Sequence, residues 1–293
     1  MKNRIIIAGI YRSGTSLTAE LVHSWGAYAG HQDDIFKDEY GYMEHFALQK
    51  LNDDLLNNNS RVPTPVNQLI DKAMDPTFKD RALKILDAMD SEAEEDNAPA
   101  WVWKDPRLPL VLPFWSNIWG DVIYVIPVRH PVETILSAAE MEGLDPDQVP
   151  LSAGFAYWQF CMLNLLVFTE KSRRKFFLAY DQLVSNPKDE CEHLCQFLDK
   201  ECNIDPGNVN QRINDMTANI VEEQHHFQYT KSLAEVETTT KEQRALFNFL
   251  RVKTIYPHES CNYDDFSIYP GWMEYLQTID SLVTLNQAQA GKQ

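Results

Sequence analysis

Arg4-Ile-Ile-Ile-Ala-Gly-Ile10-Tyr-Arg-Ser-Gly14-Thr-Ser16 joins an apolar run to a tight polar turn, and Leu17, Leu21 and Val22 follow at helical spacing. The run is β-branched and apolar on both faces, as in a central strand of a parallel sheet covered on both sides. Strand, turn and helix in that order open an α/β domain. The turn carries Gly9 and Gly14, the first closing the strand and the second opening the helix. Glycine lets the backbone turn tightly and approach an anion. The free N–H groups at a helix start, at the positive end of its dipole, donate to phosphate oxygens. The stretch has the frame of a phosphate-cradling loop.

A nucleotide-hydrolysing P-loop, G-x-x-x-x-G-K-[ST], places Lys directly after its second glycine. Here that position holds Thr15, and the cation stands inside the loop as Arg12. Such enzymes also hold Mg²⁺ with a carboxylate at the end of a neighbouring strand, whereas the apolar run 122–128 ends in a cation, Arg129. The loop reads as built for a metal-free anion. Two alternatives stay open: a P-loop small-molecule kinase, and a non-catalytic nucleotide-binding relative of the same fold.

Outward from the loop, strand and helix patterns continue to alternate. Helices are predicted at 44–58 and 66–96, strands at 100–103 and 122–128, and a helix from His130-Pro131 to about Glu142. A long apolar helix follows at 151–171, a short strand at 175–179, an amphipathic helix at 187–199, and helices at 241–253 and 271–285 before a frayed tail at 286–293. No repeat or linker interrupts the chain, so residues 1–293 read as one domain. The aromatic stretch Trp101, Trp103, Phe114, Trp115 and Trp119 reads as core. So does the stripe Cys191, Leu194, Cys195, Leu198, in preference to a metal site.

Composition is that of an ordinary globular protein, 44% hydrophobic and 24% charged. A net charge of −17 argues against a general nucleic-acid or anionic-membrane surface, either of which needs a basic field. Any anionic ligand must therefore be captured by a few local cations and backbone amides. No apolar run approaches the ~20 residues of a spanning helix, so no membrane insertion is expected. Five cysteines without a C-x-x-C pair suggest reduced thiols and a cytoplasmic protein.

The loop Tyr11-Arg-Ser-Gly-Thr-Ser16 resembles the 5′-phosphosulfate loop of sulfotransferases that use 3′-phosphoadenosine 5′-phosphosulfate (PAPS). Val125-Ile-Pro-Val-Arg129-His-Pro-Val-Glu-Thr-Ile-Leu-Ser137 resembles their 3′-phosphate motif, a strand ending in Arg with Ser eight residues later. Weaker likenesses run in the same order along residues 4–200. They are Gly41-Tyr-Met-Glu44, Trp103-Lys-Asp-Pro-Arg107, and Tyr180-Asp-Gln-Leu183 with Pro187.

The resemblance, to the bacterial-type branch, implies a three-layer P-loop-like α/β fold with a central parallel sheet flanked by helices. It implies PAPS as sulfuryl donor, 3′-phosphoadenosine 5′-phosphate (PAP) as product, and no metal. Arg12, Ser13, Gly14, Thr15 and Ser16 are then expected at the 5′-phosphosulfate, Arg129 and Ser137 at the 3′-phosphate, and Tyr180 near the adenine. Arg12 and Lys104 are expected to neutralise charge during transfer, and Glu44 to take the acceptor's proton, with His45 and His31 as alternative bases. Arg107 is expected to be structural. Residues 222–229 are a candidate cover for the donor, although the R-K-G element of the cytosolic animal branch is missing there. Tyr157 and Trp158 are candidate acceptor contacts. The acceptor is expected to be a hydroxyl of a small molecule, lipid or saccharide, chosen by segments such as 26–75 and 141–165.

Overall fold

The computed structural model describes residues 2–36, 44–58, 64–145, 148–205, 208–218, 220 and 232–255. Four strands form one parallel sheet: β1 (Asn3–Ile7), β4 (Ala100–Lys104), β5 (Ile123–Val128) and β6 (Lys175–Ala179), in the order β4-β1-β5-β6. A two-residue antiparallel pair, β2 (Ile35–Phe36) and β3 (Glu44–His45), forms a separate ribbon.

Because side chains alternate across a strand, the sheet divides the apolar core into two layers. Ile5 and Ile7 of β1 join Ala100, Val102, Val125 and Leu178 on one face. That face is covered by α1 (Thr15–Trp25), α9 (Pro187–Cys202) and α10 (Val209–Thr217). Ile6 joins Trp101, Trp103, Tyr124 and Ile126 on the other. There the cover is α2 (Phe46–Leu55), α3 (Val66–Met74), α4 (Pro76–Glu95), α5 (Leu108–Trp115), α6 (Pro131–Met141), α7 (Leu151–Phe168) and α11 (Lys241–Ile255). One further helix, α8 (Tyr180–Ser185), follows β6 directly. The expected α/β architecture, helices on both faces of a parallel sheet, is the one observed.

The differences from the expected elements have local causes. The helix predicted over 66–96 is two helices, broken where Asp75 caps the Thr77 amide at 2.8 Å and Pro76 starts the second. Glu44 and His45, predicted helical, form β3 instead. Helix α5 was not expected at all. It contains Pro113, and all its residues are buried, so neither capping nor amphipathic periodicity marks it. The short α10 was missed as well. The segments predicted as a helix at 271–285 and a tail at 286–293 lie outside the described residues.

Helix α7 has the length and composition of a membrane span, in contrast to the expectation that no run comes close. It is nonetheless a core helix, with Phe155, Cys161 and Leu165 fully buried among α5 and α6 residues. Cys191, Leu194, Cys195 and Leu198 are buried against the sheet as expected. Trp103 and Trp115 meet edge-on at 5.0 Å, and Trp115 stacks on Trp119 at 5.3 Å, so the aromatic stretch is core.

Candidate active site

The carboxyl ends of parallel strands are where α/β sheets collect ligand-binding side chains. Here they deliver the loop after β1, Lys104 as the last residue of β4, Arg129 just after β5, and Tyr180 just after β6.

The loop is held tightly on itself. Ala8 N donates to Val125 O at 3.0 Å, and Ser13 Oγ donates to Ile10 O at 2.7 Å. Arg12 has φ 63° and Gly14 φ 95°, so both lie in the left-handed region. For Arg12 that is a strained conformation, of the kind that persists where the surroundings dictate it. Gly14 is the residue before α1, and a Cβ there would come within 2.4 Å of Tyr180 Cδ2. The helix starts without a capping side chain and without an acidic residue in its first turn, which leaves its leading amides available to an anion.

Two motifs far apart in the chain meet above this loop. Arg12 Nε donates to Ser137 Oγ on α6 at 3.0 Å. Arg129 Nη1 donates to Arg12 O at 2.9 Å, and Arg129 Nε to Glu133 Oε2 at 3.0 Å. The Arg129 guanidinium lies 4.5 Å from the centre of the Tyr180 ring. Tyr180 therefore packs between Gly14 and Arg129, with its phenol pushed above the usual range by burial. Residues expected at the two ends of one ligand, Arg12 and Ser137, are in direct contact. Glu133 was not foreseen. It lies one helical turn after Arg129, and that spacing was its signal.

A second cluster lies at the end of β4, one strand over; Lys104 pairs in register with Ile7, just before the loop. Lys104 is 1% exposed, and its Nζ donates to Glu44 Oε1 at 2.9 Å. Burial pushes the Glu44 carboxyl above the usual carboxylate range, opposed first by the Lys104 charge. Burial likewise pulls Lys104 below the usual lysine range, opposed first by Glu44. Gln49 Nε2 donates to Glu44 Oε2 at 3.3 Å.

Of the alternative bases, His45 alternates with Glu44 along β3 and packs its ring near Gly30, away from Lys104. Its Nδ1 is buried without a hydrogen-bond partner, and burial lowers its basicity. His31 sits edge-on to Tyr28 at 5.8 Å. Among the described residues Glu44 is the carboxylate that accepts from Lys104, at 2.9 Å. Trp158 is buried beside Phe247, the ring centres 6.4 Å apart. Gly41–Met43 and residues 222–229 lie outside the described residues.

Asn52 and Asp53 of α2 also reach this cluster and were not expected there. Asn52 is fully buried in the stripe Leu48, Leu51, Leu55, and a polar residue on an apolar stripe was the signal available. An open groove of about 750 Å³ lies between α2 and α4, lined by Ala47, Lys50, Arg81 and Lys84 among others. At 100° per residue Asn52 points to the opposite side of α2 from Ala47 and Lys50, so the groove lies across the helix from the Asn52–Asp105 contact.

No curated protein matches the chain. Among solved structures it is similar to the sulfotransferase domain from the curacin biosynthetic pathway, with 18% identity, 86% of this chain and 98% of that one covered, and a TM-score of 0.46. The sulfotransferase domain of the Synechococcus PCC 7002 olefin synthase gives 17% identity, coverage of 86% and 96%, and a TM-score of 0.48. Sulfotransferase STF9 from Mycobacterium avium gives 14%, 86% and 76%, and 0.49. The family model described as the sulfotransferase family matches residues 4–203, a span that begins within β1 and includes the loop, Glu44, Lys104, Arg129, Ser137 and Tyr180. With more than half of its length so matched, the chain belongs to the sulfotransferase family.

Proposed function

We propose that the protein transfers a sulfuryl group from PAPS to an acceptor hydroxyl, in line and without a metal, with Glu44 as the base. The observation that carries the donor is the meeting of the loop with the β5–α6 motif, Arg12 Nε at 3.0 Å from Ser137 Oγ and Arg129 Nη1 at 2.9 Å from the Arg12 carbonyl. Two anion-binding motifs from opposite parts of the sequence thereby share one site, as a donor phosphorylated at both ends requires. The glycine cradle, the uncapped start of α1 and two guanidinium groups fit such a donor.

The donor supplies an activated sulfuryl group on its 5′-phosphate. Arg12, Ser13 and the amides of Gly14, Thr15 and Ser16 hold that end, Arg129 and Ser137 hold the 3′-phosphate, and Tyr180 borders the loop. As the acceptor oxygen bonds to sulfur, its proton passes to Glu44. Protonated Glu44 no longer neutralises Lys104, so the lysine charge becomes available to the transferring oxygens when their negative charge grows. The bridging S–O bond breaks, and its electron pair leaves with PAP. The buried Glu44–Lys104 contact thus couples proton removal to charge stabilisation.

Against a kinase, both oxygens of Asp105, the carboxylate at the end of β4, already accept from Arg107, and one also from Asn52. Buried free thiols at Cys161, Cys191, Cys195 and Cys202 suit a reducing compartment, supporting the cytoplasm. The acceptor is a small molecule, lipid or saccharide bearing a hydroxyl.

Calorimetric titration with PAP, in parallel with ADP and with ATP plus Mg²⁺, tests the reading. Micromolar PAP binding with ADP about tenfold weaker or worse, a gap of ~1.4 kcal/mol, is expected. Preference for ATP with Mg²⁺, or no PAP binding, would overturn it.

A further inference from the structure

Around Glu44 and Lys104 the structure builds a closed polar network. Arg107 is 3% exposed, and its guanidinium forks onto Asp105, Nε to Oδ1 at 2.8 Å and Nη2 to Oδ2 at 2.7 Å. Its backbone N also donates to Asp105 Oδ1 at 2.8 Å, and its Nη1 pairs with Asp53. Nη2 lies 3.9 Å from Glu44 Oε2. Asp105 is fully buried and also accepts from Asn52 Nδ2 at 2.8 Å, while Asn52 Oδ1 accepts from Trp115 Nε1 at 2.8 Å. The turn after β4, helix α2 and helix α5 are thus tied to one another behind the Glu44–Lys104 contact.

We propose that Arg107 is a positioning residue for that pair, its guanidinium fork anchoring Asp105 and Asp53 and so fixing the charges that Glu44 faces. The proposal rests on the reading of Glu44 as the base. Among the described residues those charges are Lys104 from β4, Asp105 and Arg107 from the turn after it, and Asp53 from α2, with neutral Gln49 and Asn52 beside them. His45 is Glu44's neighbour on β3 but packs near Gly30, and Tyr11 of the loop acts on Arg107.

The sign of each effect follows from geometry. Asp105 is a buried like charge beside Glu44 and opposes its ionisation, whereas Arg107 neutralises Asp105 and attracts Glu44 directly. A lysine cannot replace the fork, because an ammonium is a point charge that cannot hold both Asp105 oxygens and reach Glu44 together. If Arg107 merely filled space, damage at either residue would admit water and return Glu44 towards ordinary carboxylate behaviour in both cases. The positioning role instead requires shifts of opposite sign.

The test is a pH titration by NMR of the full chain labelled with carboxyl-¹³C glutamate, the Glu44 signal being identified by its loss in Glu44→Gln. Arg107→Gln should lower the Glu44 ionisation constant about tenfold, one unit of pKa. Asp105→Asn should raise it, and Arg107→Lys should fall between wild type and Arg107→Gln. Shifts of the same sign in Arg107→Gln and Asp105→Asn, or none, would overturn the proposal. Should Arg107→Gln not fold, Asp105→Asn and the double variant carry the test: adding Arg107→Gln must reverse the Asp105→Asn shift, and no reversal refutes the role. Failure of the base reading shows separately, as unchanged PAPS turnover by Glu44→Gln on a panel of simple phenols, sterols and monosaccharides.

Discussion

Substituting Gly14 by alanine probes the loop at its tightest point. A Cβ at this position would lie 2.4 Å from Tyr180 Cδ2 and 2.7 Å from Cε2, on a rigid ring, and the backbone has φ 95°. A left-handed residue with a Cβ costs about 1–2 kcal/mol, and overpacking against a ring that cannot yield adds about 1–3 kcal/mol. Gly14→Ala should therefore lose ~2–5 kcal/mol, divided between unfolding free energy and PAP affinity according to whether the loop keeps or abandons its shape. A loss of 2 kcal/mol taken wholly in binding is about a thirtyfold rise in Kd. The assay is a double-mutant cycle with Tyr180→Ala, each variant measured by denaturant unfolding and by calorimetry with PAP. Without the ring, Gly14→Ala should cost only the backbone part, ~1–2 kcal/mol. An equal Gly14→Ala cost in both backgrounds would refute the packing of Tyr180 on Gly14. No cost in either would refute the loop conformation itself.

Arg129→Ala should weaken PAP binding about 10–100-fold, as for loss of charge-assisted bonds worth ~1.5–3 kcal/mol, while Glu44→Gln keeps PAP affinity and slows transfer; equal binding losses by calorimetry would sink both roles. Arg12→Ala should impair both binding and turnover. Arg4 forks onto Asp90 at 3.2 and 2.9 Å and donates to Trp119 O at 3.1 Å, so Arg4→Met should destabilise the fold by about 1–3 kcal/mol in denaturant unfolding, leaving the half-buried Asp90 with one partner fewer. His130, whose Nδ1 accepts from Val132 N at 3.3 Å at the start of α6, is held down to about 4 mainly by burial and next by Arg251. The unfolded state therefore binds more protons between that value and about 6.5, stability rises with pH across this window, and His130→Asn should show a smaller difference in unfolding free energy between pH 5 and pH 7.

The sheet was legible because its strands are buried on both faces and bounded by loop signals. All five residues of β6 coincide with the expected run, since a continuous apolar segment before a polar turn has few alternatives. Helix α5 was not, because a helix buried all round shows no amphipathic period and its Pro113 argues against it locally. The loop cation, Arg129 and Ser137 could be read from the chain because each stands a fixed step from a glycine or a strand end, and Arg12 and Ser137 meet at 3.0 Å. Asn52, Asp53 and Arg107 could not be assigned together. Their contacts join α2 to the turn after β4, more than 50 residues away, through side chains whose spacing along the sequence carries no period.

Under the proposed function, a chain of net charge −17 has to hold an anionic donor. Three of the four cations meet a carboxylate nearby: Arg129 with Glu133, Lys104 with Glu44, and Arg107 with Asp105. Arg12 instead spends its Nε on the Ser137 hydroxyl. Buried cations held this way avoid the cost of an unpaired charge, and their positions are set before an anion arrives. The net charge of the chain acts through solvent and is screened within ~10 Å at ordinary salt, whereas the site works through contacts near 3 Å. Under the proposed function, donor capture is then the work of Arg12, Arg129 and Lys104 with their partners, and the acidic surface governs approach. Raising salt should accordingly quicken PAP association by screening the surface repulsion, and stopped-flow rates that instead fall steeply with salt would show that a long-range basic field guides the donor after all.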